Sequence, residues 1–165
     1  SETELTQIDG IGPAQAARLK AALEVGRRLM AEPLDDQWQI RAPGDAAHIL
    51  MPSLSYQTQE NLVVLVLNTR NRIVHQQVLY TGTINTSVCR IAEVFSVAMQ
   101  HHAAGIMIAH NHPSGDPDPS PEDVALTRRL VEAGRLLEIP VLDHIIIGHN
   151  KFVSLRQQGL GFESV

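Results

Sequence analysis

Two histidines and a following acidic residue are the part of this chain best suited to chemistry. His110 and His112 are separated by one residue, and Ser120 and Asp123 follow shortly after them. Side chains alternate along a strand, so the two histidines point to the same side of it. Two imidazoles at a strand end can converge on one zinc ion, with each nitrogen about 2.0–2.1 Å from the metal. The spacing therefore predicts a metal site.

Asp123 is the candidate for a third ligand. Ser120 is a favourable N-cap and Pro121 suits the first helical position, which puts Asp123 in the first turn, facing the histidines. Two histidines and one carboxylate leave a fourth tetrahedral position open, as in catalytic zinc sites, where bound water has a pKa of about 7. A carboxylate must then move the proton. Local spacing leaves its identity open between Glu60, at a strand start, and Glu93, on a helix.

Strands and helices that alternate along the chain must position these residues. The apolar run from 62 to 67 predicts a buried strand, and 105–109 predicts a central strand that leads into His110. Helical spacing appears within 91–99 and 124–137, and a short helix over 45–51 is expected to stop at Pro52. Further strands are expected at 73–80, 141–147 and 151–155. This order predicts an α/β domain with a mixed sheet.

The chain is predicted to divide into two unequal parts. Residues 1–30 have helical spacing interrupted by a turn, residues 31–44 are rich in proline and acidic residues and suggest a linker, and residues 45–165 form the metal-binding domain. The hydrophobic fraction of 44% and the charged fraction of 19% are typical of a globular chain of 165 residues. No apolar run approaches the roughly 18 residues of a membrane span.

Charge and cysteine content limit the partners and the compartment. The net charge is −5 and no basic run is present, so general electrostatic capture of nucleic acid is not indicated. Cys89 is the only cysteine, which excludes an internal disulfide and favours a buried apolar role for this thiol. We therefore expect a cytoplasmic protein without a membrane partner.

The site residues resemble a known motif. They match the JAMM motif of the MPN metalloprotease family. That motif has an upstream glutamate, then His-x-His, and then, after seven residues, a serine followed two residues later by an aspartate. Here its positions are Glu60, His110, His112, Ser120 and Asp123. The flanking sequences are similar to the bacterial RadC family over roughly residues 1–162. They are Leu67-Asn68-Thr69-Arg70-Asn71, the His-Asn-His-Pro-Ser-Gly box and Leu142-Asp143-His144-Ile145-Ile146-Ile147-Gly148.

The resemblance implies a fold, a cofactor and an activity. The fold would be a three-layer MPN (JAB) α/β domain, similar to cytidine deaminases, with a mixed sheet flanked by helices and preceded by a small helical hairpin. One Zn²⁺ per chain would bind His110, His112 and Asp123. Peptide or isopeptide hydrolysis would follow, with Glu60 as acid and base and Ser120 stabilising the oxyanion. RadC-like chains usually carry a further N-terminal stretch.

Two other functions are open at this point. Gly10-Ile11-Gly12 resembles the turn of helix-hairpin-helix modules, whose backbone N–H groups contact DNA phosphates. A DNA-associated repair or recombination factor, either a zinc-dependent nuclease or an accessory binding protein, is therefore the main alternative. A non-catalytic MPN scaffold is less favoured, because such members usually lose the ligands. Asp143 and His144, as strand neighbours, point to opposite sides, so a hydrogen-bonding role is expected for them rather than a second metal site.

Overall fold

Helices α1 (Glu2–Leu5) and α2 (Pro13–Ala31) form the first of two units in this computed structural model. The structure describes residues 2–31, 38–82 and 89–162. The first unit spans Ser1–Pro33 and the second spans Leu34–Val165. The turn between α1 and α2 uses Gly10 at a φ of 87°, which glycine adopts without steric cost. A small helical hairpin therefore precedes the main domain in the sequence.

The second unit is built on a five-stranded sheet. Its strands are β1 (Asn61–Leu67), β2 (Ile73–Thr81), β3 (Gly105–Asn111), β4 (Val141–Ile147) and β5 (Phe152–Ser154). They lie in the order β2-β1-β3-β4-β5. Strands β3 and β4 are parallel, whereas the other neighbouring pairs are antiparallel. The apolar runs of β1 and β3 are buried on both faces, as the central position of these strands requires.

Helices cover both faces of this sheet. Helix α3 (Pro43–Leu54) packs with alternate residues of β1 and β4, including Leu65 and Ile145, on one face. Helices α4 (Ile91–Gln100) and α5 (Pro121–Leu136) pack on Leu62 and Ile108 on the other face. The result is a three-layer α/β fold with a mixed sheet, which confirms the predicted fold class. Within the described ranges, no helix combines the length and apolar character needed to cross a membrane.

The boundaries of α3 correct two expectations. The helix begins at Pro43, so its first two residues belong to the segment that was predicted as linker, and it continues past Pro52 to Leu54. Asp45 supports the early start because its carboxylate accepts the N–H groups of Arg41 and Ala42. Pro52 removes only one helical N–H near the end, and burial of Leu54 in the core holds the last turn in place.

Candidate metal centre

Two histidines at the end of β3 and one aspartate at the start of α5 converge on one point. The Nε2 atoms of His110 and His112 are 3.1 Å apart. His110 Nε2 lies 3.1 Å from Asp123 Oδ1, and His112 Nε2 lies 3.4 Å from Asp123 Oδ2. Ligands at zinc distances in a tetrahedron are about 3.3 Å apart. These three side chains could therefore hold a metal ion, with one ligand atom from each.

The first turn of α5 fixes the aspartate. Ser120 is the N-cap: its Oγ accepts the Asp123 N–H at 3.1 Å. In return, Asp123 Oδ2 accepts the Ser120 N–H at 2.8 Å and the Ser120 hydroxyl at 2.6 Å. Burial opposes ionisation, but the two imidazoles beside the carboxylate and the hydrogen bond from Ser120 lower the pKa of Asp123 well below its usual range. The ligand is thus an oriented carboxylate, and the Ser120 hydroxyl proton is directed at it.

The other ring nitrogen of each histidine has a partner of its own. His112 Nδ1 lies 2.8 Å from the carbonyl oxygen of Asp116, and His110 Nδ1 lies 2.8 Å from His144 Nε2. A carbonyl only accepts, so His112 Nδ1 carries the proton and its Nε2 lone pair faces the site. The pKa of the His112 imidazole is raised, chiefly because the protonated ring could donate a hydrogen bond to Asp123, and also by the charge of Glu60.

Glu60 lies beside the cluster because of strand pairing rather than local spacing. In the antiparallel register of β1 and β3, Leu62 is opposite His110. Glu60 lies two residues before Leu62 and His112 lies two residues after His110, so the antiparallel pairing brings both residues to the same end of the sheet. The backbone carbonyl of Glu60 accepts the N–H of Gly82 at 2.9 Å. Glu60 is half-buried, and its charge acts on the His112 ring, whose pKa it helps to raise.

Asn111 holds the backbone on both sides of Glu60, and sequence reasoning had assigned it no role. Its side chain, 1% exposed, points away from the metal ligands. Asn111 Oδ1 accepts the Asn61 N–H at 2.8 Å, and Asn111 Nδ2 donates to the Gln59 carbonyl at 3.0 Å. The Asn111 side chain thus connects the start of β1 to the end of β3 by hydrogen bonds. The position of Asn111 between the two histidines of the His-x-His motif was the one feature of the sequence that could have indicated this role.

Exposure differs among the three ligands. The side chains of His110 and Asp123 are 2% and 6% exposed, whereas that of His112 is 16% exposed. The cluster therefore meets solvent on the His112 side, where Glu60 also lies. A water molecule and a substrate could reach a metal ion from this direction.

The other polar candidates take different places. Glu93, on α4, accepts the hydroxyl of Tyr80 and pairs with Arg90. Asp143 and His144 point to opposite faces of the sheet, as predicted: the Asp143 carboxylate accepts the Ser154 hydroxyl at 2.6 Å, and the His144 ring lies against His110. Burial of Asp143 raises the pKa of its carboxyl.

The surroundings of two buried side chains, Cys89 and His144, make them unreactive. Cys89 is 2% exposed, which confirms its predicted apolar role, and burial raises the pKa of its thiol to about 11. Burial also lowers the pKa of His144 well below its usual value, so this ring is neutral at ordinary pH. Neither group has the exposure or the ionisation of a nucleophile.

A mixed three-layer sheet with His-His-Asp at its strand ends defines a candidate metal-binding α/β domain, and comparison with known proteins gives its family. The family model described as the RadC-like JAB domain matches residues 40–160. The UPF0758 protein of Roseiflexus castenholzii is 50% identical over 159 residues, which cover 96% of this chain and 68% of the relative. The UPF0758 protein of Chloroflexus aggregans is 48% identical over 160 residues, covering 97% and 70%. The chain belongs to the RadC-like family of JAB domains, which confirms the resemblance.

Proposed function

We propose that this chain is a zinc-dependent hydrolase that uses metal-activated water, and that its substrates are peptides or isopeptides. One observation carries the proposal: two bare imidazole nitrogens and an oriented carboxylate converge at tetrahedral spacing, open to solvent beside Glu60. Three acceptor groups held this close repel one another unless a cation lies between them. An open three-ligand site is typical of catalytic rather than structural zinc.

The chain's own residues supply the remaining steps. A bound zinc ion would lower the pKa of a water molecule to about 7 and polarise the substrate carbonyl. Glu60 would take the proton from that water and deliver it to the leaving nitrogen. Ser120 would stabilise the oxyanion, for which its hydroxyl has to turn from Asp123 Oδ2 towards the substrate. Asn111 would keep Glu60 in position through Gln59 and Asn61.

Metal content and turnover test this proposal together. Native-purified protein should contain about one zinc ion per chain by inductively coupled plasma mass spectrometry. His112→Ala should lose that zinc. Glu60→Gln should retain it and should lower cleavage of a peptide or isopeptide substrate by about 100-fold, because only the proton carrier is removed. Wild-type turnover in Glu60→Gln would contradict the assigned mechanism.

The substrate screen should include nucleic acids alongside amides. Peptides, isopeptide-linked conjugates and single- and double-stranded DNA would be tested with the same zinc-loaded protein and with Glu60→Gln. Cleavage of amide bonds that requires Glu60 supports the proposal. Glu60-dependent cleavage of DNA alone would replace it with the nuclease alternative. Metal-free native protein would exclude both and favour a binding module.

A DNA-associated role remains a second candidate, supported by the first unit. Gly10 adopts the left-handed conformation, and Gly12 directly precedes the 19-residue helix α2, which begins at Pro13. Pro13 has no N–H, so the groups that the turn places at an exposed surface are the N–H groups of Gly12 and Ala14. Such groups can contact a phosphate. Arg18 lines a shallow depression of this unit together with Gly12, and it could add a second contact.

Charge substitutions at two glycines give a matched test of DNA binding. A Cβ atom at Gly12 or at Gly26 would meet no atom within 4 Å, so either site accepts aspartate without a clash. Gly12→Asp should weaken duplex DNA binding in a low-salt fluorescence anisotropy titration, whereas Gly26→Asp, with the same charge change elsewhere on the unit, should not. Equal weakening by both would point to net charge rather than to the turn, and equal binding by all three proteins would exclude this role.

A further inference from the structure

A chain of buried polar groups connects one candidate ligand to another. Thr127 Oγ1 lies 2.6 Å from the carbonyl oxygen of Asp123 and 2.6 Å from His144 Nδ1. His144 Nε2 lies 2.8 Å from His110 Nδ1. Thr127, His144 and His110 are each at most 1% exposed when the whole residue is counted. The positions of the protons along this chain can be assigned from its geometry.

The assignment starts at Thr127, which has a single hydroxyl proton. Two oxygen atoms only 2.6 Å apart need a proton between them, and the carbonyl oxygen of Asp123 has none. Thr127 therefore donates to Asp123. Its Oγ1 can then only accept from His144, so the proton of that second bond lies on His144 Nδ1.

The position of the proton on His144 determines the position of the proton on His110. The His144 ring is fully buried, and its two nitrogens contact Thr127 and His110, neither of which is an anion. Burial without a carboxylate partner favours the neutral ring, which carries one proton. With that proton on Nδ1, His144 Nε2 is an acceptor. His110 must therefore donate through its own Nδ1–H.

The last step reaches the metal centre. A neutral His110 with its proton on Nδ1 has a lone pair on Nε2, which is the atom that lies 3.1 Å from both His112 Nε2 and Asp123 Oδ1. The opposite tautomer would place a proton at the point where the ligands converge. The chain of hydrogen bonds thus starts at the backbone carbonyl of Asp123 and fixes the tautomer of the His110 ring.

We propose that Thr127 and His144 are positioning residues that select the ring tautomer of His110 and so present its Nε2 lone pair to the metal. The inference rests on the metal centre of the proposed function. Partners of this kind, which bond the far nitrogen of a ligating histidine, typically change metal affinity by about 10- to 100-fold. Neither residue touches the metal or the substrate.

A pair of threonine substitutions separates this role from general packing. Thr127→Val keeps the shape but cannot accept from His144, and it should weaken zinc binding by about 10-fold. Thr127→Ser keeps the hydroxyl and should stay within about threefold of wild type. Zinc affinity would be measured by competition with a chromogenic chelator, and the cobalt(II) absorption spectrum would report ligand geometry. Ser154→Ala is the matched control, because it removes a buried hydroxyl bond of the same 2.6 Å length that does not involve the ligands.

Nitrogen-15 NMR of the histidine rings tests the assignment without any substitution. In the zinc-loaded wild-type protein, His144 should show a protonated Nδ1 and an accepting Nε2, and His110 should show a protonated Nδ1. A proton on His144 Nε2 would overturn the inference whether or not the variants fold.

The binding results distinguish failure of the proposed metal centre from failure of the inference about Thr127 and His144. Wild-type protein that binds no zinc would remove the metal centre and this inference with it. Wild-type protein that binds zinc, together with a Thr127→Val variant of unchanged affinity and cobalt spectrum, would overturn the inference and leave the proposed function standing. Equal losses in Thr127→Val and Ser154→Ala would assign the effect to stability and would also overturn it.

Discussion

Two buried carboxylates of this domain lie in polar clusters on opposite faces of one sheet, and their surroundings differ in kind. Asp143 accepts the Ser154 hydroxyl at 2.6 Å and the backbone N–H of His144 at 2.7 Å, and so is satisfied within the chain. Asp123 also accepts a serine hydroxyl at 2.6 Å, from Ser120, but its carboxylate faces two further acceptor nitrogens. The first cluster is complete within the chain, whereas the second could hold a metal ion.

The difference indicates how to tell a structural polar cluster from a functional one. Buried polar groups are normally satisfied, so a cluster whose donors and acceptors match needs no other explanation than the fold. The Asp143 cluster is of this kind. Where orientation is enforced by further hydrogen bonds, yet lone pairs still converge, as at His110, His112 and Asp123, the cluster could hold a metal ion. Burial and hydrogen-bond length are alike in the two clusters and would not distinguish them.

The largest expected effect comes from removing each carboxylate in turn. Asp123→Ala should lower zinc affinity by at least about 100-fold, because a ligand is lost. Asp143→Ala should leave zinc affinity nearly unchanged and should lower the free energy of unfolding by about 3 kcal/mol, because buried donors lose their acceptor. Chelator competition and urea unfolding would measure the two quantities. Zinc loss in Asp143→Ala at full folding would contradict the separation of the clusters.

Removing the support of Glu60 should affect turnover more than metal binding. Asn111→Ala frees the Asn61 N–H and the Gln59 carbonyl, the backbone groups on either side of Glu60. We expect about a 10-fold fall in kcat, a fraction of what a general base supplies, with zinc content unchanged. Steady-state kinetics on the substrate found in the screen, beside Glu60→Gln as the lower limit, would measure it. Wild-type kcat would show that Asn111 only supports the fold.

The matched serines offer a finer test of the two clusters. Ser120→Ala removes the helix cap, at a cost of about 1 kcal/mol, and releases the carboxylate of Asp123. Its zinc affinity should fall by about 10-fold. Ser154→Ala removes the equivalent bond to Asp143 and should lower stability by about 1–2 kcal/mol without affecting zinc. Thermal unfolding and chelator competition on both variants would decide, and identical profiles would mean that the clusters do not differ.

The parts of the site that the sequence predicted are those held by local structure. Ser120 and Asp123 form a capping box within one turn, and His110 and His112 share a face because side chains alternate along β3. These geometries depend on spacing alone. The end of α3 was wrongly predicted at Pro52 because burial of Leu54, which spacing does not reveal, outweighs one missing hydrogen bond.

The parts that the sequence could not place depend on strand register. The pairing of β1 with β3 brings Glu60 to the end of the sheet that carries His112. Motif resemblance, not local spacing, had singled Glu60 out. His144 reaches His110 only because β4 runs parallel to β3, with Ile108 as its register partner. The proximity of Thr127 to Asp123 could have been predicted, since a residue four positions after Asp123 lies on the same face of α5. Its role, however, appears only once His144 is in place.

The smallest expected effect concerns the pH dependence of stability, and it tests whether burial governs the completed cluster. Burial raises the pKa of Asp143 above its ordinary value of 3.8, so the folded state holds this proton more tightly than the unfolded state does. Its contribution to stability is therefore fully present below pH 3.8 and is lost as the pH rises through the folded-state pKa. Asp143→Asn cannot titrate, and its amide oxygen can still accept the His144 N–H. Urea unfolding of both proteins in the presence of a chelator should show the variant gaining stability relative to wild type from about pH 4 to neutral pH. A difference that is constant with pH would mean that hydrogen bonds from Ser154 and its neighbours balance burial at Asp143, and one that changes in the opposite direction would mean that they outweigh it.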